Sequence, residues 1–220
     1  MNVLYEETSS FKVGAVLAET DTSLQVEAAH GKRSKIKAAS VLLRFEAPPL
    51  AELMGKAEAL ATEIDTDFLW QCCDADEFGF AELARDYCGH APNALEAAAI
   101  LVKLQSAPMY FYRKGKGRFR AAPADTLKAA LASVERKRMQ EEQIRSWADE
   151  LQRGVVPEAL QSILPQLLYQ PDRNRVETKA LEMACERSGL SAAKLFERAG
   201  ALPSSHDYHL GAFLFENFPR

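Results

Sequence analysis

Short alternations of apolar and polar residues fill the first 46 positions, and from Leu50 apolar residues recur every three or four. Phe11, Val13, Ala15 and Leu17 alternate with other residues around Gly14, Leu24 and Val26 follow, then Ile36, then Val41-Leu42-Leu43-Arg44-Phe45. A period of two is the strand signature. Turn-like stretches at Glu19-Thr20-Asp21-Thr22 and His30-Gly31-Lys32-Arg33 separate the runs. Five short strands with tight turns in about 45 residues fit a small SH3-like β-barrel over residues 1–47. Phe11-Lys12-Val13-Gly14-Ala15-Val16 is the expected opening strand, its glycine permitting a sharp bend. Pro48-Pro49 cannot continue a ladder and closes the unit.

Leu50, Leu53, Met54, Ala57, Leu60, Ala61 and Ile64 then predict one amphipathic connector helix, within residues 48–66. Asp65 or Asp67 is placed to cap a helix over Phe68–Cys73, Gly79–Tyr87 is a second ended near Gly89, and Asn93 caps a third from Ala94 to Gln105. Two aromatic-rich runs around a Lys-Gly-Lys-Gly tip, from Pro108 to Arg120, read as a hairpin. Three helices followed by a hairpin is the order of a winged helix, over residues 67–123. Residues 124–220 are expected to be helical: Thr126–Gln152, Glu158–Tyr169, Val176–Ser188 and Ser191–Arg198, broken at Gly154, Pro171, Gly189 and Gly200. The fold class is therefore α+β and multi-module: barrel, winged helix and C-terminal helical region.

Charge changes this picture in one place. The chain is net −4, yet Arg113, Lys114, Lys116, Arg118 and Arg120 fall within eight positions of the wing with no acid among them. Such a hairpin offers phosphates a charged edge and unstacked bases a flat surface; lysines blunting an edge strand would look the same. Lys32, Arg33, Lys35 and Lys37 form a second basic cluster, followed by Arg44 before the next acid at Glu46. Both clusters are candidate RNA contacts. The third helix, whose only ionisable residues are Glu96 and Lys103, lacks the Arg, Asn or Gln that read base edges, which disfavours sequence-specific duplex recognition. Within the long helix, Glu135-Arg136-Lys137-Arg138-Met139-Gln140-Glu141-Glu142 alternates in sign, as a solvated face does.

Other chemistry is sparse. Hydrophobic content of 47% with 26% charged residues excludes a disordered or fibrous chain. No apolar run has the length of a membrane span, the N-terminus lacks the basic and apolar regions of a signal peptide, and a cytoplasmic location is expected. Cys72, Cys73, Cys88 and Cys185 do not repeat with ligand spacing, and His30, His90, His206 and His209 are scattered, so no metal site is expected. Cys72 and Cys88 are expected to be small apolar residues on helices. Glu63-Ile64-Asp65-Thr66-Asp67 resembles a paired-aspartate metal motif, but a capping role accounts for it. HExxH, a phosphate-binding glycine loop, a nucleophile elbow and a convergent carboxylate set are all missing from the pattern, and no catalytic residue is assigned.

Taken in order, Phe11-Lys12-Val13-Gly14, Gly79-Phe80-Ala81-Glu82-Leu83-Ala84, Tyr110-Phe111 with its Lys-Gly wing, and Asp207-Tyr208-His209-Leu210-Gly211-Ala212-Phe213-Leu214-Phe215-Glu216-Asn217-Phe218-Pro219 resemble the N-terminal region of bacterial ribonuclease II/ribonuclease R exoribonucleases. The similarity is to the branch with a winged helix in place of cold-shock domains, and it spans nearly the whole chain. It implies a non-catalytic region that gathers single-stranded RNA and feeds it to a catalytic domain, where aspartates hold Mg²⁺. That domain would follow the Phe-Pro segment; no cofactor is expected within these 220 residues, which read as a fragment of a longer enzyme. The expected partners are single-stranded RNA and that catalytic domain, with no membrane. A protein-interaction module with incidental basic residues is the competing class. Tyr208, Leu210, Phe213, Leu214, Phe215 and Phe218 make a tail too apolar to leave in water, expected to pack on the C-terminal helices.

Overall fold

A computed structural model describes residues 1–73 and 76–217, with backbone alone for Ser205 and His206. The chain is α+β and divides into two compact units, Met1–Ala130 and Leu131–Arg220. No helix among the described residues is long and apolar enough to cross a membrane.

In the first unit β1 (Asn2–Glu7), β2 (Ser10–Glu19), β3 (Ser23–Glu27), β4 (Arg33–Lys37) and β5 (Val41–Phe45) form an antiparallel sheet in the order β4-β3-β2-β1-β5. A single 3-10 turn, Ala38–Ser40, joins β4 to β5. The Phe11 run is the second strand, not the opening one. β1 escapes a period-two search because Val3, Leu4 and Tyr5 are buried consecutively: Val3 and Tyr5 pack with Leu24, Val26 and Ile36, while Leu4 packs with Phe45 and the helices. A strand covered on both faces does not alternate. Gly14 is a close-approach position, since a Cβ there would lie 2.9 Å from Val26 Cβ.

Helices follow as the spacing predicts: α1 (Leu53–Glu63), α2 (Thr66–Gln71), α3 (Phe80–Cys88) and α4 (Ala94–Ser106), then the hairpin β7 (Phe111–Gly115) and β8 (Arg118–Ala121). Asp65 caps α2 by accepting from Phe68 N at 3.0 Å. Asn93 and Glu96 exchange side-chain-to-backbone bonds at the start of α4, a reciprocal cap that satisfies two otherwise orphan N–H groups. A two-residue strand, β6 (Phe78–Gly79), adds to the hairpin in the order β6-β8-β7. Ala97 through Leu101 are all buried, so α4 is nearly uncharged because it is the core helix of this unit. One cluster joins Leu4 and Phe45 of the sheet to Leu53, Leu69, Leu83, Phe111 and Phe119. Residues 1–47, 48–66 and 67–123 therefore share a core.

The long helix α5 (Ala124–Gln152) begins in the first unit and ends in the second, its residues 132–143 all exposed. The apolar spacing predicts one helix over 158–169; two form, α6 (Glu158–Gln161) and α7 (Leu164–Tyr169). Pro165 explains the break, because its ring and missing N–H fit only a first turn, and Ile163 takes a non-helical ψ of 17°. α8 (Val176–Ser188), α9 (Ala192–Arg198) and α10 (Ser205–Asn217) complete the unit around Leu151, Leu160, Leu167, Leu181, Leu195 and Phe196. The apolar tail is α10. Tyr208 and Phe215 stack on Tyr169, each with ring centroids 5.6 Å away, whereas Leu210, Phe213 and Leu214 are exposed. Phe218 lies outside the described residues.

Candidate nucleic-acid interface

The hairpin register sorts the five hairpin cations. Tyr112 pairs with Arg120 and Arg113 with Phe119, and a bulge between Arg113 and Gly115 lets Gly115 face Arg118. Side chains alternate across a strand, so Phe111, Arg113 and Phe119 point inward while Tyr112, Lys114, Arg118 and Arg120 share the solvent face, all four exposed. The tip residues Gly115, Lys116 and Gly117 all have positive φ, at 89°, 53° and 71°. Gly117 is buried, and a Cβ on it would meet Phe80 at 2.9 Å and Leu42 at 3.2 Å. The tip is thereby seated on α3 and β5, with Lys116 held outward above it.

Arg113 has a different place from the other four. Its Nη1 donates to Ser9 O at 3.1 Å, its Nη2 lies 2.6 Å from Glu6 Oε1, and the guanidinium stands 5.8 Å from the Phe11 ring centroid. The Glu6 contact has ion-pair distance without hydrogen-bond angle; Arg113 Nη2 and Glu6 Oε2 are buried with no hydrogen-bond partner among the described residues. Arg113 anchors the hairpin to the β1–β2 turn.

Glu77, just before β6, enters the basic face, which the sequence around the hairpin does not hint at. Arg118 Nε donates to Glu77 Oε1 at 2.8 Å. That bond above all holds the Glu77 carboxyl below its ordinary range; burial opposes it, and the charges of Arg118, Lys114 and Arg120 add lesser pulls in the same direction as the bond. Lys114, Lys116 and Arg120 have no ion pair among the described residues. Arg120 also lines a cleft of ≈ 460 Å³ at the foot of the hairpin with Trp70, Gln71, Cys73, Asp76 and Ala121–Ala124. Trp70 is oriented there by its Nε1 donating to Ala122 O at 2.9 Å. Tyr110 donates to Asp67 Oδ1 at 2.8 Å; burial first, then that carboxylate, pushes its phenol up, so it stays a neutral donor tying the hairpin to α2.

The second basic cluster lies elsewhere on this unit. Arg33, Lys35 and Lys37 face outward along β4, opposite Glu27, Gln25 and Ser23 of β3, and Lys32 precedes them in the turn. Arg33 is paired with Glu27 at 2.8 Å, and Arg44 with Glu19. Lys35 and Lys37 border a shallow groove with Asp21, Thr22 and Ser23. The hairpin contacts β5 and the β1–β2 turn, and β4 is at the sheet's other edge, so no described contact joins the clusters. A separate cleft in the second unit, lined by Gly154, Val155, Val156, Gln161, Leu164 and Ala199–Ala201, has no titratable side chain and no evident chemistry.

Comparison with known protein families, with curated proteins and with solved structures found no match.

Proposed function

We propose that the first unit binds single-stranded RNA through the exposed face of the β7–β8 hairpin. The observation that carries this is the placement of Tyr112, Lys114, Arg118 and Arg120 on one face with Lys116 at the tip. Cations spaced along an exposed hairpin can track phosphates, and an adjacent ring can stack on any base, so the expected binding is sequence-tolerant. α4 supplies no base-reading face, because its central residues are core. Lys32, Lys35 and Lys37, with the paired Arg33, offer a secondary phosphate contact on β4.

At the level of fold, the five-stranded sheet with its 3-10 turn supports an SH3-like barrel, and the order α2-β6-α3-α4-β7-β8 supports a winged helix with the hairpin as wing. Together with the resemblance in sequence, these support a cytoplasmic role as the substrate-guiding region of a ribonuclease II-like 3′-to-5′ exoribonuclease. Mg²⁺ and cleavage then belong to a catalytic domain outside these residues. The exposed Leu210, Phe213 and Leu214 favour a second function, protein contact, which would need no RNA affinity.

Fluorescence anisotropy with a short labelled single-stranded RNA, titrated at several salt concentrations, separates the two. Guiding RNA requires binding whose log affinity falls steeply and linearly with log salt. Negligible affinity even at low salt would leave only the protein-contact role.

A further inference from the structure

We propose that Cys88, His90 and Glu96 form a divalent-metal site, best suited to Zn²⁺, between the end of α3 and the start of α4. Gly89 ends α3 in the left-handed conformation, φ 71°, and the connection returns at once to the Asn93 cap of α4. This brings one donor atom from each side chain within 4.8 Å of the others, with His90 Nε2 and Glu96 Oε1 3.7 Å apart. Around a tetrahedral zinc such atoms would be about 3.3–3.6 Å apart, so closing on an ion needs rotamer adjustment and no movement of either helix.

The remaining atoms of the ligands are already held in the way metal ligands are oriented. His90 Nδ1 lies 3.0 Å from Ala91 O. A carbonyl can only accept, so Nδ1 donates to it, and Nε2, on the Glu96 side, is the ring nitrogen left to ligate a metal. Glu96 Oε2 accepts from Asn93 N at 2.8 Å, which leaves Oε1 available. Cys88 and Glu96 are half-buried and His90 is exposed, giving the ion a route in and water a fourth position.

The charges balance. As the sulfur–metal bond forms, the Cys88 thiol releases its proton to solvent, and thiolate plus carboxylate neutralise the dication. A thiolate–imidazole–carboxylate set selects zinc over Mg²⁺ or Ca²⁺, which prefer oxygen alone. Sequence spacing hides the site because Cys88 and His90 flank a helix stop while Glu96 belongs to the next helix. Among the described residues no other three such side chains converge.

The test is competition of the full chain against a chromophoric chelator for Zn²⁺, with Co²⁺ as spectroscopic probe. One equivalent should bind, with a thiolate-to-Co²⁺ charge-transfer band and a higher melting temperature in Zn²⁺. Because loss of an outer partner alone weakens metal sites about 10–100-fold, Cys88→Ser and His90→Gln should each cost at least about 100-fold. Glu96→Gln keeps a capping side chain yet should also weaken binding. The variant Cys72→Ser/Cys73→Ser/Cys185→Ser should bind as the parent does. Substoichiometric binding, or binding that the exposed His90→Gln leaves unchanged, overturns the site, and does so even if Cys88→Ser fails to fold.

Discussion

Gly117 and Arg113 show how single residues set the hairpin. At Gly117 a side chain meets two obstacles, a φ of 71° and the Phe80 and Leu42 atoms beneath it. A left-handed non-glycine residue costs about 1–2 kcal/mol and overpacking about 1–3 kcal/mol. Gly117→Ala should therefore destabilise the first unit by about 2–5 kcal/mol in denaturant unfolding; a change within about 0.5 kcal/mol would mean the tip is not seated on α3. Arg113→Ala should lose about 1–3 kcal/mol, because the half-buried Glu6 carboxyl and the Ser9 carbonyl lose their partner. The glycines of the tip were legible in the sequence as turn formers. That Gly117 is also a packing position, and that Arg113 faces inward, depends on Phe80, Leu42 and Glu6, each far away in the chain.

At the scale of the element, the hairpin's basic face is weaker than its sequence, since Glu77 from outside the hairpin is paired with Arg118. Lys114→Ala/Lys116→Ala/Arg120→Ala should weaken RNA binding about equally across sequences and flatten the salt slope by up to about three, near one per lost phosphate contact. Melting should hardly move, as exposed substitutions usually change stability by within about ±0.5 kcal/mol. Glu77→Gln should do the reverse, tightening RNA binding and steepening the slope by about one as Arg118 becomes available. A triple variant that is folded and binds as tightly as the parent would reduce the basic face to ordinary solvated surface. Elements with one buried face, such as α1 and α8, were legible because apolar spacing reports that face. β1 was not, being covered on both sides, and β6 was too short to carry a pattern. The break between α6 and α7 needed Pro165 weighed above the apolar spacing around it.

For the whole molecule, the expectation that matters most is that these residues do not cleave RNA by themselves. Among the described residues the sole converging set of potential ligands contains one carboxylate, Glu96, beside a cysteine and a histidine. Mg²⁺ chemistry on phosphodiesters needs several oxygen ligands, so the purified chain should not shorten labelled single-stranded RNA in Mg²⁺; metal-dependent shortening that co-purifies through several columns would contradict this. The tail's apolar composition was legible in the sequence, but its division into packed and exposed faces was not, because that depends on where Tyr169 stands. Tyr208 and Phe215 stack on Tyr169, and Gly211 gives that ring room, since a Cβ on Gly211 would fall 2.1 Å from the Tyr169 hydroxyl oxygen. Each large apolar group fully buried contributes about 1.5–3 kcal/mol, less where burial is partial. Truncation after Ser204 should therefore destabilise the second unit by about 2–4 kcal/mol. Phe213→Glu/Leu214→Glu alters only the exposed side of the same helix, so its melting should stay close to the parent's. Equal losses from both changes would mean that the outer face of α10 is covered in solution as well.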